Sequence, residues 1–351
     1  MKITLFTLEF PPQTGGVAKY YGDLADNWQP TNDFTVLTST TSPGIGKYFR
    51  YFKQLEREYQ RGGRYFMAGQ ILPLGTALYF YAKWRKIKYV LIFHGLDFSL
   101  ATKNCSRRYL TKKIMRRAQA IISANSYTQK QLIKLLPAAQ EKIFMVNPGV
   151  SSPEAMTEVD VLADRLSREL DLKDKQIIFS LGRLVARKGF DNLITAFKEN
   201  KQSEWRLILA GAGPQEAELK ELAKNDERII FRGQISETEK WAWLKLCQLF
   251  ALVSRDVSGD YEGFGIVYLE AALMGKAVLA GKAGGVTDAV LADQTGCLID
   301  GSSISKISNS LKQLLADDNL REKLGRAGKE RAMADFMAVK QVSKIQRILN
   351  S

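Results

Sequence analysis

Short apolar runs alternate with amphipathic stretches from one end of the chain to the other. The runs are three to six residues long, as buried strands are, and the stretches between them have the apolar spacing of helices. Alternation of this kind predicts parallel sheets covered by helices on both faces. We predict eleven strands, which are Ile3–Leu8, Thr35–Leu37, Tyr89–His94, Ala120–Ala124, Ile143–Val146, Ile177–Leu181, Arg206–Ala210, Ile229–Phe231, Leu249–Leu252, Ala277–Ala280 and Gly296–Leu298.

The chain of 351 residues exceeds the usual size of one hydrophobic core, so these elements predict two α/β domains, each a doubly wound parallel sheet. The boundary is predicted in the polar stretch after Asn147-Pro148-Gly149, which separates residues 1–150 from residues 151–335. A helix at Val159–Leu170 is expected to fill the connection. The last helix, within residues 336–351, is free to pack on either domain.

The longest apolar stretch does not have the composition of a membrane span. Ile71–Ala82 is interrupted by Pro73 and Gly75, and it is shorter than the roughly 20 residues that cross a bilayer. The sequence opens on a strand-like run rather than on a charged segment followed by an apolar signal region, so we expect a cytoplasmic protein. The three cysteines have no paired or metal-type spacing, which predicts neither a disulfide nor a zinc site.

The net charge of +14 belongs entirely to the first predicted domain. Residues 1–150 contain 22 Lys and Arg against 8 Asp and Glu, whereas residues 151–351 contain 29 of each kind. An excess confined to one domain implies that this domain meets an anionic partner.

Two predicted basic helices carry much of this excess. Between Lys47 and Arg64 cations recur every three or four residues opposite aromatic and aliphatic residues, and a second basic helix is predicted around Arg107–Arg117. Such helices lie in membrane interfaces with their aromatic residues at the headgroups, so we hypothesise peripheral attachment to the anionic inner face of a membrane. An ordinary core face beneath solvated cations is an alternative of equal weight for either helix. No recognised nucleic-acid-binding motif accompanies the charge, so a nucleic acid partner is not expected.

Gly182, Arg183 and Lys188 follow a predicted strand and precede the helical run Phe190–Phe197. Main-chain amides at a helix start and two nearby cations are the groups that bind a diphosphate. Solvated loop charges explain the two cations equally well when this segment is considered alone.

Two glutamates, Glu262 and Glu270, lie eight positions apart, with glycines between them and a predicted helix at Ile266–Met274. The glycines let main-chain amides approach a ligand closely. A carboxylate one turn into a helix can accept hydrogen bonds from the two neighbouring hydroxyls of a ribose, which is the role predicted for Glu270. Glu262, in the preceding loop, would reach a different hydroxylated ring. Two glutamates at this spacing also occur by chance, and the strand, loop and helix around them make the pattern more specific.

In the first domain, Gly15 and Gly16 follow the first strand and open a predicted helix at Ala18–Asn27. Adjacent glycines allow a phosphate or a sugar to lie against the backbone, although a tight turn explains them almost as well. The single histidine, His94, ends a strand and precedes Gly95, at the place where open α/β sheets bind ligands. A lone histidine is usually structural, but this position favours a functional one.

Gly211 and Gly213 also follow a strand and look like a dinucleotide-binding loop. However, Pro214 follows the second glycine, and Glu216 stands where a third glycine is required. We therefore reject a nicotinamide cofactor.

Taken together, these motifs resemble the retaining GT-B glycosyltransferases, and especially the bacterial lipid mannosyltransferases of the phosphatidylinositol type in the fourth family (group 1). They occur in the order of the family and are spread over nearly all of the chain. The resemblance is carried by Gly15-Gly16-Val17, His94-Gly95, Asn147-Pro148-Gly149-Val150, Gly182-Arg183, Lys188-Gly189, Gly211-Ala212-Gly213-Pro214, the segment from Glu262 to Ala271, and Gly284-Gly285-Val286.

The resemblance implies a GT-B fold, in which two Rossmann-like domains face each other across a cleft, and a nucleotide-sugar donor bound mainly by the second domain. Arg183 and Lys188 would neutralise the donor diphosphate. Glu270 would hold the ribose, and Glu262 would bind the transferred sugar near its reacting carbon.

The resemblance also implies contacts from other parts of the chain. Gly16 and His94 would touch the donor from the first domain, which would bind the acceptor, and the last helix would cross back to that domain. Ile235 would lie beside the nucleobase. The remaining implied donor contacts are Gly15, Gly265, Ile266 and Val267.

The implied activity is transfer of a sugar, with retention at the anomeric carbon, to a lipid-linked or envelope-glycan acceptor. GDP-mannose is favoured as donor over a UDP-sugar. The leaving diphosphate oxygen would accept the proton of the acceptor while Arg183 and Lys188 stabilise the growing charge. The sequence contains no Asp-x-Asp pair, which is the metal clamp of the other main glycosyltransferase fold, so no metal and no other cofactor is expected. The alternatives are a sugar-nucleotide epimerase or phosphorylase and a non-catalytic binder of sugar nucleotides or polyanions.

Overall fold

The computed structural model describes residues 2–40, 44–153 and 155–350. Contacts between Cα atoms divide the chain into two compact units. The first unit comprises Met1–Gly149 and Met337–Ser351, and the second comprises Val150–Phe336. The end of the chain thus groups with the first unit, although the whole second unit separates the two segments in sequence.

The strands of the described residues follow the apolar runs of the sequence. Those of the first unit are β1 (Ile3–Thr7), β2 (Phe34–Thr38), β3 (Tyr65–Ala68), β4 (Lys88–Phe93), β5 (Ala120–Ser123) and β6 (Ile143–Met145). Those of the second unit are β7 (Gln176–Leu181), β8 (Trp205–Ala210), β9 (Ile229–Gly233), β10 (Leu249–Leu252), β11 (Ala277–Gly281) and β12 (Cys297–Ile299).

The α-helices follow the amphipathic stretches. They are α1 (Gly16–Asp26), α2 (Gly46–Gln60), α3 (Thr76–Arg85), α4 (Leu96–Thr102), α5 (Cys105–Arg117), α6 (Ser126–Leu135), α7 (Met156–Glu169), α8 (Phe190–Glu199), α9 (Glu216–Ala223), α10 (Glu237–Leu246), α11 (Ile266–Leu273), α12 (Val286–Ala289), α13 (Ile304–Ala316), α14 (Asp318–Asp335) and α15 (Ala338–Asn350).

Each unit contains one parallel sheet in its described part. The strand order is β2-β1-β3-β4-β5-β6 in the first unit and β12-β11-β10-β7-β8-β9 in the second. Every predicted strand is present with ends shifted by at most two residues, and the predicted pair of doubly wound α/β sheets is confirmed. These strands could be predicted from the sequence because strands that are covered on both faces have to be almost continuously apolar.

The strand β3 lies outside the predicted set, although it pairs with both β1 and β4 near the middle of the first sheet. The basic helix was predicted to continue to Arg64, but α2 ends at Gln60 and the chain turns through Gly62 and Gly63. All four residues of β3 are buried, as in the predicted strands, so the strand was missed because the basic helix was predicted to run up to the residue before it.

The longest apolar stretch of the chain belongs to the core of the first unit. It forms a π-helical turn at Ile71–Gly75 followed by α3, and Leu74, Leu78 and Tyr81 are fully buried. Over the residues that the structure describes, no helix combines the length and the apolar character needed to cross a membrane.

The aromatic side of α2 is also core, which corrects the hypothesis that it faces lipid. Tyr51 and Leu55 are fully buried, and Tyr48, Phe52 and Tyr59 pack against the same cluster. Phe52 and Tyr59 make edge contacts with the Tyr81 ring of α3. The alternative of a core face beneath solvated cations is therefore correct for α2, because α3 supplies an apolar surface that the sequence of α2 alone does not reveal.

Candidate active site

The order of strands in the second sheet creates a switch point between β7 and β10. The chain continues from β7 to β8 and β9 on one side, and then returns to place β10 on the other side of β7. The loops that follow β7 and β10 therefore leave the same edge of the sheet next to each other. Open α/β sheets bind ligands at the carboxyl ends of the strands at such a point.

The two loops bring together four charged side chains, which we call the Glu262 cluster: Arg187, Lys188, Asp260 and Glu262. The Lys188 ammonium lies 2.5 Å from Glu262 Oε2, and Arg187 Nη1 donates to the same oxygen at 2.9 Å. Arg187 Nε also lies 3.2 Å from Asp260 Oδ1. Both Lys188 and Glu262 are only 8% exposed, so these charges interact with little screening by water.

The ionisation of Glu262 is determined by its two cations. Burial by itself raises the pKa of Glu262, but the charges of Lys188 and Arg187 and the hydrogen bonds that they donate outweigh this and hold the pKa below its ordinary value. Glu262 is therefore a carboxylate at neutral pH and acts as a hydrogen-bond acceptor rather than as an acid.

Close backbone packing holds the two loops against each other. Gly189, directly after Lys188, has a φ of 71°, and a Cβ at this position would overlap the carbonyl oxygen of Val253 in the loop after β10. The carbonyl of Glu262 accepts a hydrogen bond from Gly285 N at 3.0 Å. The cluster is thus anchored by backbone contacts from both sides.

Arg183, the other predicted diphosphate ligand, lies on the loop after β7 but outside the Glu262 cluster. Its side chain is exposed and makes no ion pair with any residue that the structure describes. Gly211 and Gly213 lie close to this loop, since a Cβ on Gly211 would overlap the carbonyl oxygen of Gly182 and one on Gly213 that of Leu184. Close packing of two loops thus accounts for the glycines that look like a dinucleotide motif.

Glu270 pairs with a different cation from those of the Glu262 cluster. It is 3% exposed on α11, and its Oε1 forms an ion pair with the ammonium of Lys240 on α10. The same ammonium lies 2.6 Å from Glu237 Oε1, one turn earlier on α10. The two predicted glutamates are therefore each buried and paired with a lysine.

The other predicted donor contacts of the second unit surround the starts of α10 and α11. Ile235 is half-buried in the connection from β9 to α10. Gly265 caps α11 with a φ of 81°, and Ile266 and Val267 are the first residues of this helix. Their main-chain amides have no earlier helical carbonyl to bond, as expected in the first turn of a helix.

In the first unit, Gly15 and Gly16 stand at the start of α1. Gly15 has a φ of 138°, and no heavy atom of a non-neighbouring residue lies within 4 Å of the place where either glycine would carry a Cβ. The backbone is therefore open on this side, as the close approach of a ligand requires.

His94 follows β4 in the first unit, and its ring is neutral at pH 7. Burial lowers its pKa to about 4. The Tyr21 hydroxyl donates its one proton to the Gly69 carbonyl at 2.6 Å and lies 2.7 Å from His94 Nε2. Nε2 must therefore donate to the Tyr21 oxygen, which leaves Nδ1 of His94 as a hydrogen-bond acceptor.

Asp97 holds the turn that carries His94. Its Oδ1 accepts hydrogen bonds from the main-chain amides of His94 (3.0 Å), Gly95 (2.9 Å) and Phe98 (3.0 Å). Burial raises the pKa of Asp97 to about 6 even though these amides favour the carboxylate. The turn therefore depends on a carboxyl group that was not predicted from the sequence.

Arg187, Lys240 and Tyr21 were also missed by the sequence analysis. A weak signal existed for Arg187, which directly precedes Lys188, and for Lys240, which follows Glu237 by three residues on a helix. Nothing in the local sequence of Tyr21 indicates that its hydroxyl meets a histidine 73 positions away.

The outward side of the helices on one face of the first sheet is basic and carries exposed aromatic rings. The helix α2 is joined to α3 by Arg85 Nε, which donates to Glu56 Oε2 at 3.0 Å, and α3 is joined to α5 by Arg117, which donates to the Ala82 carbonyl at 2.8 Å. We call the exposed cationic and aromatic residues of these three helices the cationic helix face: Phe49, Arg50, Lys53, Arg57, Phe80, Lys83, Trp84, Arg107, Arg108, Tyr109, Lys113, Arg116 and Arg117.

Comparison with known proteins identifies the second unit. Residues 163–331 match the family model of the glycosyl transferases group 1. The chain carries a group 1 glycosyltransferase domain. The matched segment contains the Glu262 cluster, Glu270 and Lys240, so the charged groups described above lie inside this domain.

The glycosyltransferase is similar to two mannosyltransferases over its whole length. It is 27% identical to the GDP-mannose-dependent alpha-(1-6)-phosphatidylinositol monomannoside mannosyltransferase of Mycolicibacterium smegmatis, over 99% of this chain and 97% of the relative. It is 26% identical to the GDP-mannose-dependent monoacylated alpha-(1-6)-phosphatidylinositol monomannoside mannosyltransferase of Corynebacterium glutamicum, over 100% of this chain and 98% of the relative. The similarity therefore extends over both units.

Solved structures agree on the fold. The complex of Anabaena HepE with UDP superposes with a TM-score of 0.81 at 18% identity, and all of both chains is covered. WaaG, a glycosyltransferase involved in lipopolysaccharide biosynthesis, gives a TM-score of 0.70 at 13% identity over 98% of this chain and 99% of that chain. The glycosyltransferase has the GT-B fold, as the motifs predicted.

Proposed function

We propose that the glycosyltransferase moves a mannosyl residue from GDP-mannose to a lipid-linked acceptor with retention at the anomeric carbon. The names of the two mannosyltransferase relatives support this donor and this kind of acceptor. The observation that carries the proposal is the Glu262 cluster. It combines a buried carboxylate with two cations at the edge of the sheet where α/β folds bind ligands.

The two cations of the Glu262 cluster can pair either with Glu262 or with the diphosphate of a donor. Lys188 and Arg187 neutralise Glu262, and a donor diphosphate would offer the same cations its own negative charges. Arg183, exposed on the same loop, would add a third cation. Groups held in advance by the fold stabilise developing charge without a reorganisation cost, so they act most strongly on the leaving diphosphate.

In the proposed reaction the acceptor hydroxyl approaches the face of the sugar from which the diphosphate departs. A bond forms between the acceptor oxygen and the anomeric carbon as the bond from that carbon to the diphosphate oxygen breaks. The electron pair of the broken bond stays on the diphosphate oxygen, which takes the acceptor proton. Glu262 would orient the sugar by accepting hydrogen bonds from its hydroxyls. The protein cations would neutralise the charge, so the proposal assigns no role to a metal ion.

The remaining assignments place the nucleoside on the second unit. Glu270 would accept the ribose hydroxyls, and Ile235 would lie beside the base. The main-chain amides of Ile266 and Val267 would meet the phosphates at the start of α11, where helix ends favour anions.

The first unit would contribute to the sugar. Gly15 and Gly16 leave their backbone open to a phosphate or a sugar. The acceptor nitrogen Nδ1 of His94 would take a hydrogen bond from a sugar hydroxyl.

Donor binding tests the assignment of Glu262. We expect GDP-mannose to raise the melting temperature of the wild type more than UDP-glucose does, since a ligand stabilises the state that it binds. Glu262→Gln should lower the affinity for GDP-mannose by about tenfold, the size expected for losing a charged hydrogen-bond acceptor. The affinity for GDP, which lacks the sugar, should change by less than about threefold. Both affinities are measured by isothermal titration calorimetry.

The exposed Glu322, on α14, provides the control, and Glu322→Gln should bind both ligands as the wild type does. Equal losses for GDP and GDP-mannose in Glu262→Gln would contradict the sugar-binding role. Stronger stabilisation by UDP-glucose than by GDP-mannose would contradict the proposed donor.

We further propose that the cationic helix face docks on anionic lipid headgroups at the inner face of a membrane, where a lipid-linked acceptor is found. Within this face, Trp84 is 60% exposed and Phe49 is 78% exposed. Next to the face, Ile45 lies just before α2 and is 86% exposed. Single aromatic rings among cations are suited to the headgroup region. The proposal relies on these outward residues and not on the buried aromatic side of α2.

Vesicle binding tests the docking proposal. The triple variant Lys53→Ala, Lys83→Ala and Arg57→Ala should bind phosphatidylglycerol vesicles at least about tenfold more weakly than the wild type at low salt, because each cation near an anionic surface contributes on the order of 1 kcal/mol. Binding is measured by co-sedimentation, with neutral phosphatidylcholine vesicles in parallel. A triple control on the second unit, Lys201→Ala, Lys306→Ala and Lys312→Ala, removes the same charge and should bind like the wild type. Equal weakening by both variants would show that net charge, not this face, causes the binding.

A further inference from the structure

Lys240 is a buried lysine that none of the roles above uses. It is 6% exposed on α10, and its ammonium bridges Glu237 on the same helix and Glu270 on α11. The centroid of the Trp241 ring lies 4.9 Å from the ammonium, and the Trp241 indole donates to Glu237 Oε1 at 3.3 Å. The contacts with Glu237 and Trp241 thus fix the position from which the Lys240 ammonium pairs with Glu270.

The two glutamates that pair with Lys240 differ in their exposure to water. Glu237 is exposed, with 60% of its side chain accessible, whereas only 3% of the Glu270 side chain is accessible. Water solvates an exposed carboxylate, but a carboxylate as buried as Glu270 needs a partner that replaces the lost hydration. Lys240 is therefore more important for Glu270 than for Glu237.

We propose that Lys240 is a positioning residue that holds the Glu270 carboxylate in place and aims it at the ribose of the donor. This inference rests on the proposed role of Glu270 as the ribose acceptor. One lone pair of the carboxylate is used by the Lys240 ammonium, and a carboxylate has room for about four hydrogen bonds, so lone pairs remain for two vicinal hydroxyls. Lys240 thereby contributes to the selection of a ribonucleotide without touching it.

A purely structural bridge between α10 and α11 makes a different prediction. Loss of such a bridge would weaken all nucleotides alike, or would only lower the stability of the fold. Loss of a positioning residue should weaken a ligand only to the extent that the ligand uses Glu270. The ratio of affinities for GDP and 2′-deoxyGDP measures this use.

The experiment compares these two affinities by isothermal titration calorimetry. The wild type should bind GDP about tenfold more tightly than 2′-deoxyGDP, since one hydrogen bond to a charged group is lost. In Lys240→Met the ratio should fall below about threefold, mainly through weaker binding of GDP, and Lys240→Arg should restore part of it. Lys245→Met provides the matched control, since Lys245 lies on the same helix in an exposed pair with Asp160 at 2.5 Å, and should leave the ratio unchanged.

The single variant Lys240→Met leaves a buried charge without its lysine and could misfold. The double variant Glu270→Gln and Lys240→Met avoids this because it removes both buried charges. In a Glu270→Gln background, Lys240→Met should cause almost no further loss of GDP affinity, as expected for two residues that act as a unit. The proposal is overturned if Lys240→Met keeps the tenfold ratio, or if its losses add to those of Glu270→Gln.

The outcome for Glu270 separates this inference from the proposed function. If Glu270→Gln itself keeps the wild-type ratio, the ribose role of Glu270 is wrong, and the inference fails with it. If Glu270→Gln loses the ratio and Lys240→Met does not, the ribose role stands and only the inference fails. Binding of neither GDP nor UDP by the wild type would overturn the nucleotide-sugar function itself.

Discussion

Lys188→Ala is expected to lower the rate of sugar transfer by about 100- to 1000-fold, the range seen when a group that stabilises developing negative charge is removed. Lys188 is only 8% exposed, so water does not replace its ammonium easily. The change also leaves Glu262 with Arg187 alone, which removes the strongest of the charges that lower the Glu262 pKa. The rate is measured under donor saturation and expressed per folded protein.

Two comparisons define the role of Lys188. Lys188→Arg keeps the charge and should retain more activity than Lys188→Ala, although a guanidinium does not fit a site built for an ammonium. Lys220→Ala removes an exposed lysine of α9 that pairs with Glu216 at 2.8 Å, so its rate should equal that of the wild type. Retention of more than about a tenth of the rate by Lys188→Ala would show that the leaving diphosphate is stabilised elsewhere.

The second large effect concerns the backbone next to the Glu262 cluster. Gly189→Ala should lower the free energy of unfolding by about 3 to 5 kcal/mol, because a Cβ would overlap the Val253 carbonyl oxygen and the φ of 71° disfavours any side chain. Since Val253 begins the loop that carries Glu262, the same change should also weaken donor binding. Urea denaturation followed by circular dichroism measures the loss.

Gly233→Ala separates the overlap from the backbone strain. Gly233 has a nearly equal φ of 65°, but no non-neighbouring atom lies within 4 Å of its Cβ position. This variant should lose only about 1 kcal/mol, the cost of the left-handed conformation. Similar losses in the two variants would mean that the loop after β10 yields and that the contact with Val253 does not hold the cluster.

The strands could be predicted well from the sequence because each buried strand is an apolar run that can be recognised without knowing its neighbours. The segment Ile177–Leu181 reads as a buried strand wherever its neighbours lie, and it is confirmed within β7. In contrast, β3 is an apolar run of the same kind, but it directly follows the segment Lys47–Arg64 that was predicted as a helix.

The candidate site was predicted only as separate residues. Lys188 and Glu262 each had a credible role in the sequence, but the ion pair between them depends on the switch point that places β7 beside β10. Arg187, which meets Glu262 across 75 positions, was missed for the same reason. Lys240 has the pattern of a solvated helix lysine three residues after a glutamate, and only the packing of α10 near α11 buries it against Glu270.

For the basic helix α2, the sequence predicted the element but not the surroundings of its aromatic side. Its amphipathic pattern was read correctly as a helix, but the same pattern suits a membrane interface and a protein core. The neighbouring α3 decided between them, because its Tyr81 ring contacts the aromatic side of α2. The cations remain outside in either case, so the charge asymmetry of the chain survives the correction.

The sequence by itself determined the order of strands and helices, the location of the excess positive charge and the motifs of a group 1 glycosyltransferase. These properties depend on neighbouring residues, whose spacing reflects burial and local backbone conformation. Only the tertiary structure decided which charges pair, which aromatic face is core and which tautomer His94 adopts. Those outcomes depend on side chains brought together from distant positions, where burial sets the strength of each interaction.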